Sequence, residues 1–175
     1  LLLCTLCLAL PLHAADALPG DSVYQLPVIL TNQAGHAAPL ALRRGHPQLV
    51  SMFYASCTMV CPMIIETMKA TRHAAGDPAA LQLLAVSFDP ARDSVAKLAD
   101  YASRHQLDPR WWTLARAEPA DVRPLAALLG VQYRQLPDGD FNHSSVLLLL
   151  DADGRVVARS TRSEEHTSEL QSHHD

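Results

Sequence analysis

Leu49-Val50-Ser51-Met52-Phe53-Tyr54-Ala55-Ser56-Cys57-Thr58-Met59-Val60-Cys61-Pro62 carries a strand, a loop and the start of a helix in one continuous stretch. Leu49 to Tyr54 is a short apolar run of strand length, and it leads straight into a loop, Ala55 to Pro62, that holds two cysteines. Pro62 suits the first turn of a helix, and Ile64, Ile65, Met68 and Arg72 then recur at helical spacing until Gly76-Asp77-Pro78 ends the element. Residues four apart on a regular helix hold their β-carbons about 5 to 6 Å apart, whereas an unstrained disulfide wants about 3.8 Å. A Cys57–Cys61 bridge therefore needs the loop rather than a finished turn. At a helix entry both thiols face unpaired backbone N–H groups and the positive end of the dipole, which favours thiolate. Soft metal ions and disulfide exchange both require that form.

The alternation continues outward. Leu81 to Phe88 is an unbroken apolar run, as a buried parallel strand should be. Asp93 or Ser94 can cap the next helix, whose apolar face is Val95, Leu98, Tyr101 and Ala102. Trp112 to Leu114 is a brief strand, and Pro119 to Leu129 is a helix with Pro at its start and Gly130 after its end. Before the cysteine loop, Tyr24 to Thr31 and Pro39 to Leu42 flank the turn Asn32-Gln33-Ala34-Gly35 and predict an N-terminal β-hairpin. After the last helix, Ser145 to Leu150 and Arg155 to Ala158 flank Asp151-Ala152-Asp153-Gly154 as a second hairpin. The expected fold is an α/β sandwich with a mixed central sheet flanked by helices.

At 175 residues, 49% hydrophobic and 18% charged, the chain has the material for one globular domain. Four cysteines are too few for a disulfide scaffold, and no apolar run reaches the 18 residues of a membrane-spanning helix. The net charge of −4 argues against a nucleic-acid partner. That acidity belongs to the ends, because residues 18–162 hold 14 basic and 13 acidic side chains. Residues 1–17 read as the apolar and cleavage regions of a secretory signal, with Ala15-Asp16-Ala17 as an A-x-A pattern, or as part of a membrane anchor. Cys4 and Cys7 are incidental to that leader. Residues 163–175 continue Arg162-Ser163-Glu164-Glu165-His166-Thr167-Ser168-Glu169-Leu170-Gln171-Ser172, which resembles a translated sequencing-library adapter, and they are set aside as an artefact tail. The domain read is 18–162, with its C-terminal element expected to be missing.

Two ligands rarely complete a metal site, so a third is sought among the histidines. His73 and His105 fall in the last turns of their helices, where imidazole complements the negative dipole end, and His36 and His46 sit in Gly-adjacent turns. His143 differs, because Phe141-Asn142-His143-Ser144 immediately precedes the apolar strand Val146 to Leu150, and loops at strand ends are where sites are built. Position alone leaves His143 either a ligand or an ordinary loop histidine.

Three motifs now stand in order: CxxxCP after an apolar strand, Val86-Ser87-Phe88-Asp89-Pro90-Ala91-Arg92-Asp93, and Asn142-His143-Ser144-Ser145 before a hydrophobic strand and a D-x-D-G-R hairpin. Together they resemble the Sco/SenC family over roughly residues 20–160. The resemblance implies a thioredoxin-like fold and one copper ion per domain, Cu(I) or Cu(II), held by Cys57, Cys61 and His143. It implies a metallochaperone that assists assembly of the CuA centre of cytochrome c oxidase. Its partners would be the copper-bearing oxidase subunit, a periplasmic copper donor and a thiol reductant. Its place would be the bacterial periplasm, soluble or anchored to the inner membrane. Zinc accepts the same donors, so ligand type leaves the metal open. Asp89 has a family counterpart and reads either as a carboxylate supporting the copper loop or as the fixer of the turn before Pro90; Asp93 reads as support or as a helix cap. The family often places Pro after the first cysteine and then Asp or Thr; Thr58 and Met59 stand there instead. Met59 offers a soft thioether as a weak ligand or an ordinary loop contact. Two other readings of the cysteines remain: a redox pair in a thiol-disulfide oxidoreductase, and a structural disulfide.

Overall fold

Strands β3 (Gln48–Phe53) and β4 (Gln82–Ser87) form the middle of the sheet, and their side chains are buried almost without break. Both faces of these strands are covered, which is why their sequences read as continuous apolar runs rather than as alternation. The computed structural model describes residues 17–57 and 60–162. The leader read at residues 1–17 lies outside them up to residue 16, as do Met59 and the tail at 163–175. Around the central pair the chain adds β1 (Ile29–Asn32), β2 (Ala37–Pro39), α1 (Val60–Ala74), α2 (Val95–Arg104), β5 (Trp112–Ala117), α3 (Pro119–Leu129), β6 (Tyr133–Gln135), β7 (Phe141–His143), β8 (Ser145–Leu150) and β9 (Val156–Arg162). The main sheet runs β2-β1-β5-β4-β3-β8-β9, with β3, β4 and β5 parallel and every other neighbour antiparallel. β6 and β7 form a separate two-stranded ribbon. No helix among the described residues is long and apolar enough to cross a membrane.

The mixed sandwich with an added N-terminal hairpin is as expected, and the differences are local. Of the run Tyr24 to Thr31 only Ile29 onward pairs in the sheet, because Val23–Gln25 winds into a 3-10 turn capped by the Ser22 hydroxyl. The return strand stops at Pro39, after which Leu40–Arg43 forms another 3-10 turn. β5 extends past the expected Leu114 to Ala117, since it is enclosed between β4 and β1. Ser94, not Asp93, caps α2, its hydroxyl accepting from the Lys97 N–H.

Helices cover both faces of the sheet. Phe53 packs against Tyr101 of α2 with ring centroids 5.2 Å apart, while Val50, Leu84 and Leu150 on the other face meet Leu125 and Leu129 of α3. α3 ends in Gly130 at φ 66°, and the Arg159 guanidinium donates to the freed Leu129 carbonyl at 3.0 Å. On β8, Val146, Leu148 and Leu150 are buried, whereas Leu147 and Leu149 are only half-buried. The run of four leucines thus alternates in burial although not in sequence.

The turn joining β8 to β9 is locked to the N-terminal segment. Gly154 sits at φ 82°, its carbonyl accepts from Val23 at 2.9 Å, and a β-carbon there would meet Tyr24 Cδ2 at 2.6 Å and Ser22 Oγ at 2.8 Å. Gly154→Ala combines left-handed strain with a clash against a packed ring, and is expected to cost about 2 kcal/mol or more. Urea unfolding of the variant against the parent checks this; an unchanged midpoint would mean that the contact is not a constraint.

Candidate metal centre

β3 and β4 are parallel, so the cysteine loop and the Phe88-Asp89 segment leave the sheet at the same end. β8 runs antiparallel to β3, with Ser51 opposite Leu147, so the residues just before β8 arrive at that end as well. Topology alone thus brings Cys57, Cys61 and His143 together. Their ligand atoms lie within 4.8 Å of one another, the one such group containing three metal-ligating side chains among the described residues.

Each donor is placed by a different device. Cys57 is half-buried in a turn closed by its own N–H to the Tyr54 carbonyl at 3.2 Å. Cys61 stands in the first turn of α1 and is fully buried. Its N–H donates to Cys57 Sγ at 3.3 Å, and its own sulfur accepts from the Tyr54 N–H at 3.5 Å. The hydrogen bond with Cys57, followed by burial, pushes the Cys61 thiol up, so it holds its proton firmly. His143 lies in β7, opposite Tyr133, rather than in the open loop expected for it. Its Nε2 faces Cys61 Sγ at 4.0 Å, while Nδ1 lies 3.4 Å from the Ser144 carbonyl oxygen; a proton on Nδ1 leaves the Nε2 lone pair pointing at the sulfur.

Donors sharing one ion with metal–sulfur bonds near 2.3 Å and metal–nitrogen bonds near 2.0 Å stand about 3.5 to 4 Å apart. The three donors fit such an ion with small adjustments. Among the described residues no disulfide joins Cys57 to Cys61.

Aromatic rings close the inner side. The His143 ring meets Tyr54 edge-on at 5.8 Å and Phe88 at 5.1 Å, and Phe141 packs against both of those rings at 5.2 Å. Tyr133 of β6 stacks on Phe88 at 5.2 Å. These rings keep water from the back of the site and leave the half-exposed Cys57 as its accessible sulfur. The Tyr54 hydroxyl also donates to Asp140 just before β7, which holds the Asp140 carboxyl well below the usual range with help from the Phe141 N–H. Tyr54 therefore touches the cysteine loop, the histidine and the ribbon that carries the histidine. Only its aromatic character was visible in the sequence.

The two aspartates of Asp89-Pro90-Ala91-Arg92-Asp93 divide the work. Asp89 is buried, and its carboxylate pairs with Arg92, whose guanidinium lies 5.3 Å over the Phe141 ring. Asp93 has no exposed surface; its Oδ2 accepts from the Ala55 N–H at 2.9 Å and the Ser87 hydroxyl at 2.6 Å. Lys97 stands 3.5 Å from its Oδ1 and also donates to Ser56 Oγ. The carboxylate bonded to the cysteine loop is thus Asp93. His36, His46, His73 and His105 lie outside the ligand cluster. His73 pairs with Asp77 at 3.0 Å, and His105 stacks on Tyr101 at 4.2 Å.

Removing this tether should show at the thiols. Asp93→Ala leaves a buried N–H without its acceptor and is expected to cost about 3 kcal/mol. Faster alkylation of Cys57 than in the parent, measured under conditions where both are folded, is the expected sign of a freed loop. Unchanged alkylation would show that the tether does not hold the loop.

Fold and centre have counterparts among known proteins. The SCO1/SenC family profile matches residues 19–173. ScoI of Bradyrhizobium japonicum, solved with copper bound, shares 30% identity at a TM-score of 0.64, over 76% of this chain and 86% of that one. ScoI of Arabidopsis thaliana, also solved with copper bound, shares 19% identity at a TM-score of 0.68, over 80% and 87% of the two chains. BsSco, described as a member of the Sco family of cytochrome c oxidase assembly proteins with a disulfide switch, shares 19% identity at a TM-score of 0.66, over 78% and 82%. At 19% the likeness carries the fold alone, and that fold is the thioredoxin-like one. No curated protein matches the sequence significantly. With a profile match over most of its length and a relative at 30% identity, the chain belongs to the SCO1/SenC family.

Proposed function

We propose that this protein is a copper metallochaperone that binds one Cu(I) or Cu(II) ion through Cys57, Cys61 and His143 and assists assembly of the CuA centre of cytochrome c oxidase. The observation that carries this reading is the convergence of two sulfurs and one imidazole nitrogen within 4.8 Å in a chain of this family. Soft sulfur donors select copper over hard cations, and the relative at 30% identity is solved with copper bound. The client would be the copper-bearing oxidase subunit, met in the bacterial periplasm, where the chain is soluble or held at the inner membrane. A copper donor and a thiol reductant would supply the ion and keep both cysteines reduced.

The residues suggest an order of events. Cys57, the accessible sulfur, meets the incoming ion first; Cys61 and His143, both buried, then complete the set. Cys61 must lose its proton to bind. Because its thiol is pushed up, copper competes with that proton, and Cu(I) affinity should rise with pH by about tenfold per unit for each proton displaced. A competition titration at several pH values, with the chelator's own protonation corrected, reads the slope. A flat profile would mean that no thiol proton is released.

A second reading rests on the unequal exposure of the two thiols. The Cys57 thiolate would attack a client disulfide to form a mixed disulfide. Cys61 would then displace the client, leaving a Cys57–Cys61 disulfide and a reduced client dithiol. A Cys57–Cys61 couple with a potential above about −300 mV would suit that exchange, and one below it would suit a structural bridge.

The deciding experiment is an anaerobic Cu(I) titration of the reduced protein against a competing chelator, with Zn(II) in a parallel arm. Expected is one-to-one binding that collapses in Cys57→Ser and Cys61→Ser and weakens in His143→Ala. Equal affinity in the parent and the Ser variants would end the metallochaperone reading, and a preference for zinc would change the metal.

A further inference from the structure

Arg43 and Arg44 are consecutive, and the fold treats them oppositely. Arg44 pairs with Asp153 at 2.9 Å. Arg43 instead turns inward, where its Nε donates to Gln48 Oε1 at 2.9 Å and its Nη1 to Thr113 Oγ1 at 3.1 Å. Both acceptors are neutral. Among the described residues no carboxylate lies within ion-pair distance of Arg43, and burial pushes its pKa down. Arg43 is half-buried, and a partly desolvated guanidinium gains from an anionic partner. A guanidinium has five N–H donors, of which the two bonds above use two.

Arg43 lines a cavity of about 210 Å³ over the β1, β2 and β5 end of the sheet. Its polar lining is Arg43, Thr113, Asn32 and His36, and the rest is apolar, with Leu30 and Ala115 on the strands. Asn32 Oδ1 is already occupied by the Ala34 and His36 N–H groups at 3.0 Å. One cationic fork against apolar walls matches a monoanion with an apolar tail. A phosphate would call for several convergent donors.

We propose that this cavity is a binding site for a small aliphatic carboxylate, its anionic end held by Arg43 and its tail lying along Leu30 and Ala115. The site is independent of the metal centre. Arg43 precedes β3 and Cys57 follows it, so the six-residue strand separates them by about 20 Å.

Butyrate is the probe, with inorganic phosphate as the comparison, added to the full chain and followed by amide chemical shifts. Expected are saturable shifts in β1, β2 and β5 with butyrate and at least tenfold weaker binding of phosphate. Arg43→Met should weaken butyrate by about tenfold or more, since a charged hydrogen bond is lost. Ala38→Leu, which keeps Arg43 and fills the cavity from β2, should do the same if Arg43→Met fails to fold. No saturable shift with butyrate, or binding unchanged in Ala38→Leu, overturns the site. Equal binding of phosphate overturns the ligand class. Cu(I) affinity should be the same with and without butyrate.

Discussion

A carboxylate with no exposed surface must have its oxygens paired or the fold loses several kcal/mol, and Asp93 is such a group. Its Oδ2 is satisfied by the Ser87 hydroxyl at the end of β4 and by the Ala55 N–H in the cysteine loop, while Oδ1 has no hydrogen bond and faces the Lys97 ammonium at 3.5 Å. Strand, loop and helix therefore meet at one charge. The loop before Cys57 cannot drift without leaving that charge unsatisfied. Ser94 caps α2 separately, which frees the neighbouring carboxylate for this longer-range task.

Against that fixed loop, His143 arrives on a smaller element. The β6–β7 ribbon is only three residues per strand and is not part of the main sheet. A two-stranded ribbon alone is marginal in water, so its position depends on contacts: Phe141 and Tyr133 in the aromatic cluster, Asp140 on the Tyr54 hydroxyl, Arg92 over Phe141. Two ligands are thus held by the sheet and helix, and the third by side-chain packing. Truncating one ring of the cluster would act on the histidine first.

What the sequence makes legible follows from range. The apolar runs at β3 and β4, the helix face of Ile64, Ile65 and Met68, and the Gly130 terminus of α3 are local patterns with local causes, and each is where it was expected. Sheet order is not local. β8 lies beside β3, with Ser51 Oγ donating to the Val146 carbonyl across 95 positions of sequence, and no short period encodes that pairing. The ribbon escapes notice because Tyr133-Arg134-Gln135 is too short and polar to stand out as a strand. The N-terminal strand is overestimated because an apolar run is read as extended, whereas Val23 and Tyr24 are buried by docking a 3-10 turn onto Gly154. The ligand set is legible only through three separated motifs taken together; the tether by Asp93 is not, since a carboxylate one residue before Ser94 reads equally well as a cap.

On the proposed function the centre must hold its ion and still surrender it, and the burial of the donors reconciles the two demands. A site with three buried donors would release copper only by unfolding locally. One with three exposed donors would be open to every competing ligand in solution. Here Cys61 and His143 are buried against aromatic walls, while Cys57 is half-exposed at the end of the turn. Among the described donors Cys57 is the most exposed, so ligand exchange would begin there, with Cys57 the first donor displaced and the buried pair holding the ion until the client's second ligand is in place. The same exposure makes Cys57 the sulfur that a client disulfide would meet. Metal transfer and thiol exchange would therefore compete for one atom, and since both start from the reduced cysteines, a bound ion on Cys57 would block the exchange.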